Sequence, residues 1–254
     1  MKFRYAITAT LLLSLPVLLS EVGEAISAEL KIFGSRVTKV VVGELSAQFE
    51  QATGYQPVVI ADVAQASKRK IEAGEPFDMA VLVDFQIDDL IKQGRLLADS
   101  RTDLMKSGIG VAVKRGAPKP DISTIPAFKK TLLEAKSISY LKEGASTIHL
   151  RKIFAQLGVA DVLMPKTVQT MTESVSEAVA DGTVELGIIV IPNILSVPGA
   201  ELVGPLPADI NSHVMFTAGV SAKSPNQQAA RELIKLLKSP AAAAVMKAKG
   251  LEPG

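Results

Sequence analysis

Short apolar segments alternate with helix-like hydrophobic periodicity along most of this chain. Residues 30–33 are mostly apolar and predict a buried strand. In the stretch that follows, an apolar residue recurs at every fourth position, at Val37, Val41, Leu45 and Phe49. That spacing predicts a helix with one buried face, and Gly54 stands where such a helix should end.

The same alternation continues to the end of the chain. Further strands are predicted at residues 57–61, 77–83, 108–113, 137–140, 184–191 and 213–220. Helices are predicted from about residue 66 to 74, at 87–92, 127–135, 147–157 and 173–180, and as a final pair divided at 239–240. Strands that alternate with helices through short connections are typical of parallel α/β sheets. The turn-rich stretch 116–120 is the best candidate for a boundary between two α/β lobes.

Two strand-to-helix junctions carry small polar residues. The first is Ser35, and the second is the segment from Gly144 to Ser146 and Thr147. A helix N-terminus offers unpaired backbone N–H groups and a partial positive charge, so it favours anions. Serine and threonine are also the ordinary N-caps of any helix, so each junction alone indicates only a cap. Two such helix ends that face each other would form an anion clamp.

The N-terminus has the layout of a secretory signal peptide. Lys2 and Arg4 precede a nearly unbroken apolar run over residues 6–19, and small residues follow up to Ser27 and Ala28. The run is too short and wrongly flanked for a transmembrane helix. We therefore predict a signal peptide over residues 1–28, cleaved near Ala28 or Ser27, and a mature protein in the periplasm.

Composition excludes several classes of function. The only tight basic run, residues 68–70, has no aromatic neighbour, so we expect no nucleic-acid partner. Zero cysteines exclude thiolate catalysis and cysteine metal sites, and only two histidines make a zinc site unfavourable, so we expect no metal and no cofactor. The absence of tryptophan disfavours sugar and quaternary-ammonium sites, which rely on aromatic contacts.

Four segments of the chain resemble the periplasmic solute-binding proteins of ABC importers, in the branch that includes the molybdate-binding proteins. They are residues 33–54, 70–78, 185–188 and 239–251. The resemblance implies an α/β, two-lobed type II periplasmic-binding-protein fold with two crossover strands at the hinge. Residues 108–113 and 213–220 are similar to those crossovers. The implied lobes are residues 29–112 with 217–254, and residues 113–216.

The resemblance also implies a ligand site between the lobes. Ser35 matches the first ligand-binding hydroxyl of the family, and Ser146 and Val175 match positions where backbone N–H groups contact the anion. Ala64 stands where the family has a second serine, and Val190 where it has a tyrosine. A dry oxyanion needs many hydrogen bonds, so the loss of two hydroxyls favours a small organic anion with an apolar part.

Three neighbouring residues complete the predicted site. Arg36 is a candidate carboxylate fork, although a solvated charge in a first helical turn is an equally good interpretation. Gln65, like Ser67, is a neighbour that would compensate for a lost hydroxyl, and an alignment shifted by one residue would place Gln65 in the site instead of Ala64. Thr147 lies beside Ser146 at the start of the second helix.

We therefore expect a monomeric, non-enzymatic, extracytoplasmic solute-binding protein that captures a small anion and delivers it to an ABC permease. A molybdate- or tungstate-type oxyanion is the alternative ligand, and a sensor is the alternative recipient. An exported serine hydrolase is the alternative of another class. It would use Ser146 with His149 or His213 as the base, but no Gly-x-Ser-x-Gly motif occurs, and no catalytic residue is predicted.

Overall fold

A computed structural model describes residues 27–170 and 174–254, so most of the predicted signal peptide lies outside the described residues. In the described part, no helix is long and apolar enough to cross a membrane. The strands are β1 (Ala28–Gly34), β2 (Tyr55–Ala61), β3 (Met79–Val83), β4 (Thr102–Ser107), β5 (Ile109–Lys114), β6 (Ile138–Leu141), β7 (Thr167–Thr170), β8 (Leu186–Val190), β9 (Ala200–Pro205), β10 (Val214–Val220) and β11 (Glu252–Pro253).

The helices fill the connections between these strands. They are α1 (Arg36–Thr53), α2 (Ala64–Glu72), α3 (Asp84–Lys92), α4 (Ile125–Glu134), α5 (Thr147–Gln156), α6 (Ala160–Leu163), α7 (Val175–Asp181), α8 (Ile191–Leu195), α9 (Gln227–Leu237) and α10 (Pro240–Ala248). Two 3-10 turns, Ala98–Ser100 and Met164–Lys166, precede β4 and β7.

The strands form two sheets, one in each lobe. The first sheet has the order β11-β4-β10-β3-β1-β2, and the second has the order β7-β6-β8-β5-β9. In the first sheet β1 runs parallel to β2 and β3, and in the second β6 runs parallel to β7 and β8. The two-lobed α/β architecture predicted from the sequence is therefore confirmed.

Helix α1 shows why the local prediction succeeds. Val37, Val41, Leu45 and Phe49 are all buried, so the four-residue spacing does define the core-facing side. Gly54 ends the helix with φ of 73°, a left-handed conformation that glycine adopts without a Cβ clash. Helix α1 begins directly after β1 and packs on the first sheet. Its N-terminus therefore lies at the carboxyl end of that strand.

The chain changes sheets at Gly108 and again over residues 206–213. The two crossovers contact each other through a hydrogen bond, which the Ile109 N–H donates to Asn211 Oδ1 at 3.3 Å.

The predicted lobe boundaries are displaced by a few residues from those that the strand pairing shows. Residues 109–112 were expected in the first lobe but pair within the second sheet. Residues 214–216 were expected in the second lobe but pair within the first sheet. An apolar strand has the same pattern in either sheet, so only its pairing assigns it to a lobe.

One cluster of buried apolar side chains extends through both lobes and includes Val81 of the first sheet and Ile188 of the second. A separate cluster around Phe33, Ile71 and Leu90 fills the other face of the first sheet. The shared cluster means that the lobes meet through apolar packing near the crossovers. Their polar strand ends therefore border a cleft instead of the core.

Candidate ligand site between the lobes

A small enclosed cavity lies where the carboxyl ends of strands from both sheets meet. Its volume is about 20 Å³, room for about one water molecule. Both lobes line it, with the residues Ser35, Val37, Val63, Ala64, Val81, Leu82, Leu141, Gly144, Ala145, Ser146, Ile189, Val190, Asn193 and Phe216. In open α/β sheets this edge is the usual place for a ligand, so the cavity is the candidate site.

Three buried polar groups in this cavity lack hydrogen bonds. Ser35 is 7% exposed, Ser146 1% and Asn193 3%. Neither serine Oγ, nor Asn193 Oδ1, has a hydrogen-bond partner among the residues that the structure describes. Buried polar atoms are nearly always paired, and an unpaired one costs about 1–3 kcal/mol. Three such groups at one cavity indicate that a bound polar molecule completes their hydrogen bonding.

Ser35 enters the cavity from the first lobe as the N-cap of α1. Its own N–H donates to Thr38 Oγ1 at 3.4 Å, which is one half of a capping arrangement. The neighbouring Gly34 allows that close approach, because a Cβ there would lie 2.9 Å from the Thr38 side chain. The first turn of α1 is thereby held with its N-terminus, the positive end of the helix dipole, toward the cleft.

Ser146 enters from the second lobe as the N-cap of α5. The preceding loop is fixed by Thr147, whose Oγ1 accepts from the Gly144 N–H and donates to the Leu141 carbonyl, both at 2.8 Å. Both hydrogen-bonding functions of this hydroxyl are therefore used within the loop. Thr147 does not line the cavity; it holds Gly144 and Ser146 in place.

The remaining cavity wall is aliphatic. Ala64 and Val190, the two positions that lack the family hydroxyls, both line it, together with Val63 and Ile189. Gln65 does not line it, and its Oε1 accepts instead from Gln86 Nε2 at 3.1 Å. At the start of α2, it is therefore the methyl group of Ala64 that faces the cavity.

Arg36 and Val175 lie outside the cavity lining. Val175 is fully buried at the first position of α7 and packs toward β8, where a Cβ at Gly187 would lie 3.1 Å from its Cγ1. Arg36 is the first residue of α1, and its Nη1 lies 2.5 Å from Glu177 Oε1 of α7. This ion pair joins the two lobes beside the cleft.

A second ion pair also crosses between the lobes. Arg69 of α2 donates to Glu143 Oε2, in the loop before α5, at 2.8 Å. Together with Arg36 and Glu177 it closes the lobes over the cavity. A ligand larger than a water molecule therefore enters only when the lobes or their side chains move apart.

A larger cavity of about 790 Å³ adjoins the small one. The two share Val37 and Asn193 in their walls. The larger cavity is also lined by three positive side chains, Arg36, Lys39 and Lys249, and by one negative side chain, Glu44, which pairs with Lys249 at 2.7 Å. Its positive side chains would suit a further anionic group on a bound molecule.

The arrangement needed for a serine hydrolase is absent from the described residues. Ser146 Oγ makes no hydrogen bond there, so His149 is not paired with it in this structure. Burial lowers the pKa of His149, which instead borders a different groove together with Asp84 and His213. Within the described ranges no group of three or more histidine or acidic residues could hold a metal ion.

Asn193 is the principal cavity residue that the sequence did not predict. It follows Pro192 in α8, immediately after the apolar run of β8. A polar side chain just beyond a buried strand is the available signal, the same one that identified Ser35. Phe216 was missed for a different reason, because it reaches the cavity only through the pairing of β10 with β3.

Comparison with known proteins agrees with this architecture. Residues 30–252 match the model of a family described as bacterial extracellular solute-binding protein. An aconitate isomerase from Pseudomonas sp is 33% identical over 254 residues, which cover 98% of this chain and 95% of that protein. The molybdate-binding protein of Azotobacter vinelandii is 26% identical over 216 residues, covering 82% and 83% of the two chains.

Solved structures resemble the whole fold. The periplasmic molybdate-binding protein of Azotobacter vinelandii superposes with a TM-score of 0.74 at 20% identity, covering 87% of this chain and 98% of that one. The sulfate-binding protein SubI of Mycobacterium tuberculosis H37Rv gives 0.73 at 14% identity, covering 89% and 87%. The fold is therefore that of the type II periplasmic binding proteins, and the family match over almost all described residues shows that this chain belongs to the bacterial extracellular solute-binding proteins.

Proposed function

We propose that the protein captures a small organic anion carrying at least one carboxylate between its two lobes. The observation that carries the proposal is the make-up of the cavity wall. Ser35, Ser146 and Asn193 offer buried polar groups without partners, while Ala64 and Val190 offer methyl groups. A carboxylate with a hydrocarbon part satisfies both kinds of surface, whereas a tetrahedral inorganic oxyanion makes no use of the methyl groups.

Similarity to the relatives supports this ligand class. The aconitate isomerase, whose name refers to a tricarboxylate, is more similar to the chain than the molybdate-binding protein is, at 33% against 26% identity, and over a larger share of it. An oxyanion of the molybdate or tungstate type remains the alternative ligand. The cationic larger cavity beside Asn193 favours a molecule that extends beyond the serines.

A thermal-shift screen of the protein lacking residues 1–28 tests the ligand class. The panel contains cis-aconitate, trans-aconitate, citrate and succinate beside molybdate, tungstate and sulfate. A ligand at about 100 times its Kd should stabilise the fold by about 2.7 kcal/mol. We expect a shift with one or more carboxylates, and shifts with the inorganic oxyanions alone would refute the proposal.

The protein is proposed to be exported to the periplasm and to serve there in the import of its anion. We propose that residues 1–28 direct the chain to the periplasm, where the mature monomer delivers its anion to the permease of an ABC importer. Membership of an extracellular solute-binding family supports this role. Pull-down with the permease encoded nearest its gene tests the partner, and binding to a membrane sensor kinase instead would favour signalling.

A second candidate function is isomerisation of an unsaturated carboxylate. The specific observation is the 33% identity to an aconitate isomerase along nearly the whole chain. Such a reaction removes a proton from a carbon next to the double bond and returns one at the other end of the allylic system. It needs a base, and no carboxylate or imidazole lines the small cavity among the described residues, so the base would come from its rim.

Proton NMR of cis-aconitate incubated with the protein separates the two functions. Binding alone leaves the ratio of cis to trans isomers equal to that of a protein-free control. Conversion that scales with protein concentration establishes the isomerase. The Ser35→Ala variant, which should bind substrate poorly, serves as the control for a contaminating enzyme.

A further inference from the structure

Arg36 and Glu177 face each other across the cleft, each from the first turn of its helix. Arg36 directly follows Ser35 at the start of α1, and Glu177 directly follows Ser176 in the first turn of α7. The two helices belong to different lobes, and the charged groups lie 2.5 Å apart. Both charges therefore stand beside a buried serine at the edge of the cleft.

The Glu177 carboxylate is only partly satisfied. Its Oε1 accepts from Arg36, but its Oε2 is buried and has no hydrogen-bond partner among the described residues. The neighbouring Ser176 Oγ is also buried without a partner there. A carboxylate that loses hydration at one oxygen without regaining a hydrogen bond is held at a cost. A ligand carboxylate that gains more hydrogen bonds at Arg36 than Glu177 does would therefore displace the Glu177 side chain.

The guanidinium of Arg36 is within reach of a ligand that starts at the serines. Arg36 lines the larger cavity, which shares Val37 and Asn193 with the small one. A ligand with one carboxylate at Ser35 and Ser146 and a second group directed past Asn193 would bring that group to Arg36. A guanidinium binds a carboxylate through two parallel N–H donors, a geometry that suits this exchange.

We propose that Arg36 is the second carboxylate subsite of a di- or tricarboxylate ligand, and that Glu177 fills it as an internal substitute until the ligand displaces it. This inference rests on the proposed function. It makes Glu177 a competitor of the ligand, so that removing its charge strengthens binding. A side chain that merely held the lobes closed would act in the opposite direction.

The second cross-lobe ion pair provides a matched control. Arg69 and Glu143 also join the two lobes, at 2.8 Å, but neither lines the small cavity nor the adjoining larger one. Glu143→Gln removes a cross-lobe charge pair of the same kind without touching the proposed subsite. Its effect reports the contribution of ion pairing to lobe closure alone.

The experiment is isothermal titration of a tricarboxylate, cis-aconitate, and of the dicarboxylate succinate into the mature protein and four variants. The variants are Glu177→Gln, Arg36→Gln, the double variant with both changes, and Glu143→Gln. We expect Glu177→Gln to bind the tricarboxylate up to about fivefold more tightly, the range for one partly exposed ion pair. Arg36→Gln should bind it about tenfold or more weakly. In the double variant, adding Glu177→Gln to Arg36→Gln should not raise the affinity for the tricarboxylate above that of Arg36→Gln alone.

Three results would overturn the inference in different ways. Weaker binding by both Glu177→Gln and Glu143→Gln would identify both pairs as simple closure contacts. Unchanged affinity in Glu177→Gln and Arg36→Gln would place the ligand away from Arg36 while leaving the proposed function intact. If neither carboxylate binds any of the five proteins, while circular dichroism shows that all are folded, the proposed ligand class itself is wrong.

Discussion

At the scale of single residues, the site is defined by hydroxyls that lack partners. Ser139 shows the ordinary behaviour, because its buried Oγ donates to the Val168 carbonyl at 2.7 Å. Ser35 and Ser146 are buried to a similar degree but have no such partner among the described residues. The Ser146 hydroxyl therefore contributes little to folding, and binding is the better explanation for both serines at the cleft.

Alanine substitution should separate these two kinds of serine. Ser35→Ala and Ser146→Ala should each weaken binding of the identified anion by about 1–3 kcal/mol, since a hydrogen bond to a charged group is lost. Ser146→Ala should not lower the free energy of unfolding, because its hydroxyl has no protein partner among the described residues. Ser35→Ala should lower it by no more than about 1 kcal/mol, the usual cost of removing an N-cap serine, because Ser35 is the N-cap of α1. Ser139→Ala should instead lower stability and leave binding unchanged. Calorimetry and urea unfolding measure the two effects, and a loss of stability in Ser146→Ala would contradict the assignment.

At the scale of elements, α7 depends on close packing against β8. A Cβ at Gly187 would lie 2.7 Å from Val179 Cγ2 and 3.1 Å from Val175 Cγ1. Gly187 therefore lets α7 lie directly on the strand, which sets the position of Ser176 and Glu177. Gly43 in α1 is the opposite case, because nothing lies within 4 Å of a Cβ there.

These two glycines should respond in opposite directions to the same substitution. Gly187→Ala should destabilise the protein by about 1–3 kcal/mol, because the added methyl group forces α7 away from β8. Gly43→Ala should stabilise it by about 0.5–1 kcal/mol through higher helix propensity. Thermal unfolding of both variants checks this. Equal and small effects at the two positions would show that α7 is not closely packed.

The elements with strong periodicity could be predicted from sequence. The buried face of α1, its end at Gly54 and the division before α10 at Pro240 all follow from local chemistry. Strands β4 and β9 were missed, because their exposed and buried positions do not alternate regularly and tertiary pairing defines them.

The candidate site was predicted in part. Of the eight predicted positions, those at the tips of helices line the cavity: Ser35, Ala64, Ser146 and Val190. The other four do not line the cavity. Arg36 pairs with Glu177, and Gln65 accepts a hydrogen bond from Gln86. Thr147 fixes the loop before α5, and Val175 packs against β8. Sequence adjacency alone does not distinguish a residue that faces a cleft from its neighbour. Asn193 was missed because the start of α8 carries no cap signal.

At the scale of the whole molecule, the groove that contains His149 lies between the two lobes. Val83, Asp84 and Phe85 line it from the first lobe, and Ile148 and His149 from the second. Burial is the main cause that lowers the pKa of His149; Asp84 raises this pKa, and Lys152 lowers it further. The neutral imidazole is therefore favoured when the lobes are packed together.

Stability should consequently fall in mild acid. The pKa of His149 is lower in the folded protein than its unfolded value of about 6.5. The unfolded state thus binds more protons as the pH drops below that value, and the stabilisation present above it is lost. Urea unfolding between about pH 7 and 5 should show this loss, and His149→Gln should reduce the slope. An identical slope in that variant would assign the effect to other groups.

The cleft is proposed to bind an organic carboxylate through Ser35, Ser146 and Asn193. Parallel calorimetric titrations of the mature protein with cis-aconitate and with molybdate test this proposal most directly, with the Ser35→Ala and Ser146→Ala double variant beside the wild type. We expect saturable binding of the carboxylate to the wild type, loss of that binding in the double variant, and weak or no binding of molybdate. Tight molybdate binding by the wild type, with no heat from the carboxylate, would contradict it.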